Sequence, residues 1–409
     1  VSGFAWDIHS LITFRGIQGI GAGSIMATVN TIAGDIYSVK ERAKIQGYLS
    51  SIWGVSAIIG PALGGALAEF ASWRWIFFIN IPTGIVAIIF LIVYFKEEVN
   101  VVKSKIDYKG AILIMSTLSL TLIFLMEGGQ SWPWISWHSL VFIILIAVLI
   151  KWTYNVEKNN PNAIIPLWIW KNKTIGFTSL AMVGMGINVM GPETFLPTFT
   201  QTSLGLGVIA SGFVLASMSI GWPTASALSG RLYLRIGFRE TSLIGATLVI
   251  LSAIGFLLIP KPQPIYLIVI SQVTLGAGFG LLSPPSLVGT QSMVAWNQRG
   301  VVTSSIVFSR NLGQSLGATI FGAIFNNTLN YKLRSATVDV PISTQNVFET
   351  LQSTEVSDSA KMFLRSAISN SMDYIYWGIV FFALLIFLLI YLVPHRNPKD
   401  EKLIEIEKE

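Results

Sequence analysis

The sequence contains no cysteine and only three histidines, His9, His138 and His395, widely separated along the chain. Disulfides, thiolate metal sites and cysteine nucleophiles are therefore excluded, and the histidines offer no metal-ligand spacing. Charge is also scarce. Asp, Glu, Lys and Arg make up 12% of 409 residues, where soluble globular chains carry about a quarter. No Gly-rich phosphate loop is present, which argues against ATP-driven pumping. There is no basic patch interleaved with aromatics, so 27 Lys and Arg against 21 Asp and Glu, net +6, do not point to a nucleic-acid partner. No nucleophile-base pair lies at membrane depth, which weighs against an enzyme, and no cofactor or metal is expected.

What fills the chain instead is apolar: 52% of residues are hydrophobic and the mean hydropathy is +0.64. A helix needs about 20 apolar residues to cross roughly 30 Å of hydrocarbon. Eleven such runs lie at 10–33, 46–68, 75–95, 110–127, 137–153, 175–200, 207–229, 241–260, 264–292, 301–325 and 372–393. If the first span runs from outside to inside, 19 Lys and Arg fall on the inner side and 6 on the outer, with Arg15 and Arg310 inside spans. The positive-inside rule selects this orientation and a cytoplasmic C-terminus. Trp73, Trp75, Trp132, Trp134 and Trp137 then sit at the outer interface, where amphipathic rings belong. The expected fold is an all-α integral membrane protein.

A shift of 257 positions, without a gap, superposes Gly19 on Gly276, Gly21 on Gly278, Gly23 on Gly280, Arg42 on Arg299, Gly60 on Gly317 and Gly65 on Gly322. The first two spans thus look like a copy of the ninth and tenth running in the same direction, as in transporters built from related halves. Spans six to eight precede the ninth, and their counterparts would fall before Val1. The chain opens without methionine or a signal-peptide pattern, so a fragment of a fourteen-helix parent is expected. The expected division is 1–95, three helices of an N-terminal six-helix bundle; 96–174, an inserted two-helix hairpin with its inner linkers; 175–393, a C-terminal six-helix bundle; and 394–409, a cytoplasmic tail. Residues 326–371 read as a long polar outer loop.

A charge at membrane depth needs a partner or a wet cavity, so each is a functional candidate. Arg15 and Gln18 are three apart and share a helix face, with Gly19 leaving that face uncrowded. They are expected to line a cavity; the alternative is that Arg15 snorkels to the outer interface. Glu193, between Pro192 and Pro197, is the acid placed well within a span and the candidate titrating group, possible partner to Arg15. The alternative is that the prolines end the helix and leave Glu193 wet at the outer mouth. Arg310, in the tenth span, is the second buried cation, expected to line the cavity or to pair with Gln314 or with a carboxylate from another helix. Gly54, Gly60, Pro61, Gly64 and Gly65 give the second span a kink and a groove for close packing. Pro223 and Pro284-Pro285 are expected to break the seventh and ninth spans. Trp222 and Phe195 are expected in packing or facing lipid; contact with a lipophilic cation is the alternative.

Residues 11–23, with Arg15, Gln18, Gly19 and Gly21, resemble the fourth-helix motif of proton-coupled drug antiporters of the major facilitator superfamily. Residues 54–65 resemble its fifth-helix antiporter motif, and Trp73 to Gly84 are similar to the stretch that follows in the fourteen-helix branch. Gly230-Arg231-Leu232-Tyr233-Leu234-Arg235-Ile236-Gly237 resembles the degenerate second copy of the superfamily's inner-loop motif. The resemblance implies a proton-coupling role for Arg15, an antiporter hinge at Gly54, Gly60, Pro61, Gly64 and Gly65, and an inner-loop gate at Gly230, Arg231, Arg235 and Gly237. It implies a monomeric plasma-membrane exporter of small amphiphilic drugs or metabolites in exchange for protons, by alternating access. A narrow-specificity metabolite transporter, or a non-transporting sensor on the same fold, are the alternatives.

Overall fold

A computed structural model describes residues 1–95, 107–128, 131–158, 160, 163–261, 263–334 and 357–395. Every named element among them is helical, with one isolated bridge between Gly128 and Trp132. The helices are α1 Ile8–Ile36, α2 Val39–Phe70, α3 Trp75–Phe78, α4 Asn80–Tyr94, α5 Tyr108–Glu127, α6 Trp137–Lys158, α7 Leu167–Lys171, α8 Lys173–Thr202, α9 Val208–Ala216, α10 Met218–Ile236, α11 Phe238–Leu257, α12 Ile265–Ser292, α13 Trp296–Arg334 and α14 Asp358–Tyr391. All eleven apolar runs fall on these helices, the third divided between α3 and α4 and the seventh between α9 and α10. Seven stretches among the described residues are long and apolar enough to cross a membrane on composition alone. α1 and α13 fall outside that set because glycine, hydroxyl, amide and charged side chains dilute their hydropathy. The end of the bundle that the charge count assigns to the cytoplasm is called the inner end below.

Local chemistry sets the helix starts. Asp7 and Ser10 form a reciprocal cap on α1: the Ser10 N–H donates to Asp7 Oδ1 at 2.7 Å and the Asp7 N–H to Ser10 Oγ at 3.1 Å, occupying donors a helix N-terminus leaves free. At α2 the Ser38 N–H donates to Glu41 Oε2 at 3.1 Å. The repeat is visible in these boundaries. Adding 257 to Ile8 and Val39 gives Ile265 and Trp296, the first residues of α12 and α13.

Packing is densest among α8, α10, α11, α12, α13 and α14, where one continuous apolar core runs from Ile169 to Ile390. Glycines bring helices together there. A methyl on Gly186 would collide with the Arg310 carbonyl, on Gly313 with the Val183 carbonyl, and on Gly276 with the Met218 carbonyl. In lipid, where apolar side chains gain little by leaving the solvent, such close approach is a principal source of association.

Two boundaries differ from the sequence expectation. α13 runs on to Arg334, and α14 begins at Asp358, well inside the stretch read as polar outer loop; residues 335–356 lie outside the described part. The cause is amphipathicity. Ala360, Leu364, Ala367, Ile368 and Met372 recur at helical spacing and are buried, while Ser357 Oγ caps the helix by accepting the Ala360 N–H at 3.3 Å. Helix continues beyond the hydrocarbon-length run, and an apolar-run criterion stops short of it. The prolines do not end helices either: Pro192 and Pro197 lie within α8, Pro223 within α10, and Pro284 and Pro285 within α12. Neighbouring helices hold these segments on both sides, which lets membrane helices tolerate the missing donors.

Candidate functional site

Between α1 and α2 on one side and α8, α10, α12 and α13 on the other lies a cavity of about 350 Å³. It is built from long, soft or aromatic side chains, Met26, Met182, Met218, Trp53 and Trp222, with amides from Asn30, Asn311 and Gln314. Its charged residues are Glu193 from α8 and Arg310 from α13. Flexible thioethers adapt to irregular apolar shapes and indole faces attract cations, so the cavity sets apolar and cation-attracting surfaces beside two charges of opposite sign.

Both charged groups arrive there through packing already described. α8 continues through Pro192 and Pro197, so the expectation that these prolines end the helix is corrected; Glu193, itself exposed, stands on the cavity wall. Arg310 is anchored by its own backbone against Gly186; its Nε has no hydrogen-bond partner among the described residues. Gln314, one turn on, also lines the cavity, and no hydrogen bond joins the two side chains. Trp222, expected in packing or facing lipid, is part of the cavity wall. Phe195 does pack, stacking on Phe325 with centroids 4.9 Å apart.

Arg15 and Gln18 stand elsewhere. They bond to each other, Arg15 Nη1 donating to Gln18 Oε1 at 3.2 Å, and the guanidinium lies 5.9 Å from the Phe77 ring centroid. Both are exposed and neither lines the cavity, which corrects the expectation that this face borders it. The reason is axial position. Arg15 shares a helical stripe with cavity-lining Met26, but 11 residues of helix carry it about 16 Å farther toward the outer end.

Of the hinge residues, Gly54 sits at the contact between the halves and lines the cavity. A methyl there would lie 2.6 Å from the Ser219 carbonyl and 2.7 Å from Pro223 Cγ. Gly60 and Gly64 face open space, and the surroundings of Pro61 and Gly65 lie outside the described part. The gate residues Gly230, Arg231 and Arg235 belong to the end of α10. Gly237 follows at φ +97°, a backbone conformation that favours glycine, and turns the chain directly into α11. Arg231 and Arg235 are exposed; it is Tyr233 between them that is buried, stacked on Phe238 with centroids 4.7 Å apart.

Sequence reasoning missed a polar seam along the inner side of the cavity. Gln46 Nε2 donates to Asn30 Oδ1 at 3.2 Å, Gln291 Nε2 to Thr303 Oγ1 at 2.7 Å and to the Asn30 carbonyl at 3.4 Å, and Arg299 Nη1 to the Gly34 carbonyl at 3.3 Å. Ser50 and Ser226 hydroxyls meet at 2.9 Å. Gly34 and Gln291 are themselves repeat partners, 257 apart, and the absent side chain of one makes room for the amide of the other. Asn30 and Gln46 could have been found by applying to neutral amides the test applied to charges, since each lies in an apolar run.

Comparison with known proteins agrees with this architecture. The family model described as Major Facilitator Superfamily matches residues 1–318. The chain is 32% identical over 327 residues to the multidrug transporter protein MdtP of Bacillus subtilis, covering 79% of this chain and 60% of that protein. It is 30% identical over 391 residues to multidrug resistance protein 3 of the same organism, covering 91% and 75%. It is 31% identical over 325 residues to the multidrug efflux pump SdrM of Staphylococcus aureus, covering 79% and 71%. Among solved structures, a bacterial homologue of the human lysosomal transporter Spinster, inward-facing and unoccupied, is similar with a TM-score of 0.52 at 17% identity, covering 96% of this chain and 80% of that one. The chain thus spans 60% of the first relative's length. Helical architecture, related halves around a central cavity and the match across most of the chain lead to one assignment: this multi-pass membrane protein belongs to the Major Facilitator Superfamily of transporters.

Proposed function

We propose that this protein is a secondary active exporter that moves small amphiphilic molecules outward in exchange for protons, by alternating access of the cavity to the two membrane faces. The observation that carries the reading is the cavity itself, bounded by both halves and holding one carboxylate and one guanidinium among methionine, tryptophan and amide walls. In this reading Glu193 takes a proton or the cationic end of a substrate, but not both, which makes their movements reciprocal. Arg310 opposes the Glu193 charge and orients polar groups of the cargo. Arg15, farther out on the cavity stripe of α1, acts on the proton path, and Gly54 lets α2 pivot against α10. In this reading the inner seam keeps the cytoplasmic face shut. The charge count supports a cytoplasmic C-terminus, the relatives named as multidrug transporters support a broad substrate range, and a monomer in the plasma membrane is what the family resemblance implies.

The test is transport in vesicles with an imposed pH gradient and a fluorescent lipophilic cation as cargo. Glu193→Gln is expected to lower gradient-driven transport at least about tenfold, the scale of losing a positioned proton-transfer group, while the protein stays folded. Full proton-driven transport by Glu193→Gln would remove Glu193 from the mechanism.

A further inference from the structure

Two carboxylates from opposite legs of the inserted hairpin meet at its inner base, beyond the apolar runs 110–127 and 137–153. Asp107 caps α5, its Oδ1 accepting the Gly110 N–H at 2.9 Å. Glu157, in the last turn of α6, is 5% exposed, and its Oε2 accepts the Ile165 N–H at 2.9 Å from the linker that leads to α7. The second oxygen of each, Asp107 Oδ2 and Glu157 Oε1, is buried with no donor among the described residues. A methyl on Gly110 would collide with both oxygens, so they converge on one point above that glycine, and only glycine leaves it free.

Among the described residues, the charged groups on the elements around the pair are directed elsewhere. Lys109 on α5 is exposed, Lys158 on α6 lies 6.0 Å from the Tyr154 ring centroid, and Arg299 on α13 donates to Gly34. Neither acid takes part in an ion pair among the described residues. Two ionised carboxylates in contact away from water repel, whereas one proton between them makes a short, charge-assisted O–H···O bond. We propose that Asp107 and Glu157 form a proton-binding site, one carboxyl sharing its hydrogen with one carboxylate, which clasps both inner ends of the hairpin to the linker holding Ile165.

The site is independent of the transport reading, since neither α5 nor α6 lines the cavity. The sign of its pH dependence follows from linkage. Burial first, and then the neighbouring Asp107 carboxylate, push the Glu157 carboxyl above its ordinary range, so the closed pair holds its proton to higher pH than a separated Glu157 would. Clasp stability is therefore complete at low pH and is lost as pH rises through the pair's own titration. The hairpin base becomes a sensor of alkalinity on the inner side.

Infrared difference spectroscopy on the whole chain in lipid tests this. Wild type at neutral pH is expected to show a protonated-carboxyl C=O band that disappears on alkalinisation, is absent in both Glu157→Gln and Asp107→Asn, and survives in Glu193→Gln. Thermal unfolding gives a second readout. The wild-type midpoint is expected to fall from mildly acidic to mildly alkaline pH. In Glu157→Gln that slope should flatten, because an amide N–H stands permanently where the proton was. If Glu157→Gln does not fold, Glu157→Asp, which withdraws the carboxyl from its partner, is expected to lose the band. No such band in the wild type at neutral pH, a band unchanged by these substitutions, an unflattened slope in folded Glu157→Gln, or a wild-type slope that follows added Mg²⁺ or Ca²⁺ instead of pH would each overturn the proposal, the last by marking a cation site.

Discussion

The two copies of the glycine run spend the same residues differently. In α12, Gly276, Gly278 and Gly280 are pressed against the Met218 carbonyl, the Gly245 carbonyl and the Trp222 carbonyl; in α1, their counterparts Gly19, Gly21 and Gly23 have nothing within 4 Å among the described residues. The contrast extends to whole helices. α8 buries most of its length, while α4, at the end of the first half, has no buried residue. A glycine pattern therefore specifies a surface that another backbone can approach. Whether it is occupied depends on neighbours, not on the motif, and the stabilising value of a repeat position has to be read from its surroundings.

The sharpest way to break this comparison is one substitution in each copy. Gly276→Ala is expected to destabilise by about 1–3 kcal/mol, the usual cost of forcing atoms into a packed site, because helix backbone and not a flexible side chain stands in the way. Gly19→Ala is expected to stabilise by up to about 1 kcal/mol through helix propensity alone. Opposite signs in thermal unfolding of the two variants support the contrast; equal destabilisation ends it. The two spanning arginines come next. Arg310→Ala should weaken binding of an amphiphilic ligand about tenfold, equivalent to roughly 1.4 kcal/mol. Arg15→Ala should leave ligand affinity nearly unchanged and show its effect only when a proton gradient drives transport. Equilibrium dye binding separates these outcomes.

A smaller effect is expected at the paired positions Gly34 and Gln291. Gly34→Val should wedge the inner seam, so that a single cysteine introduced at Ser283 in this cysteine-free chain reacts severalfold faster with a reagent applied from the inner side. Unchanged labelling of a folded Gly34→Val protein would show that the seam is not what closes that face. The smallest effect is at the start of α1. The Ser10 backbone amide, and then its hydroxyl, hold the Asp7 carboxyl below its ordinary range. The cap's contribution is thus present above about pH 4 and fades as pH falls through the depressed titration of Asp7. The second copy starts after Pro264 and has no titrating cap. Asp7→Asn keeps a capping side chain and should remove this acid-side loss, seen as a slight change in the acid end of the helicity profile.

Much of the architecture was legible from sequence because hydrocarbon thickness is a fixed ruler: the eleven apolar runs all lie on helices, and the repeat shift reproduces the starts of α12 and α13. The ends were less legible. The polar face of residues 358–371 hid a buried stripe, and α14 begins some way before its apolar run. Glu193 and Arg310 could be picked out because charge in an apolar run is conspicuous. Asn30, Gln46 and Gln291 were not, because a neutral amide costs less to place there and stands out less. Arg15 was assigned the right stripe and the wrong depth, since angular periodicity carries no information about height along the axis. The meeting of Asp107 with Glu157 was invisible in a linear reading, as the hairpin itself brings together acids 50 positions apart.

The inserted hairpin has a further consequence, one of parity. Under the topology expected from the apolar runs, α5 would cross and α6 return, so that the second half would start from the side on which the first half stopped. An odd number of crossings would have inverted everything after it, placing Gly34 and Gln291 on opposite faces. Any lengthening or shortening of this connection that preserves their meeting must therefore come in pairs of helices.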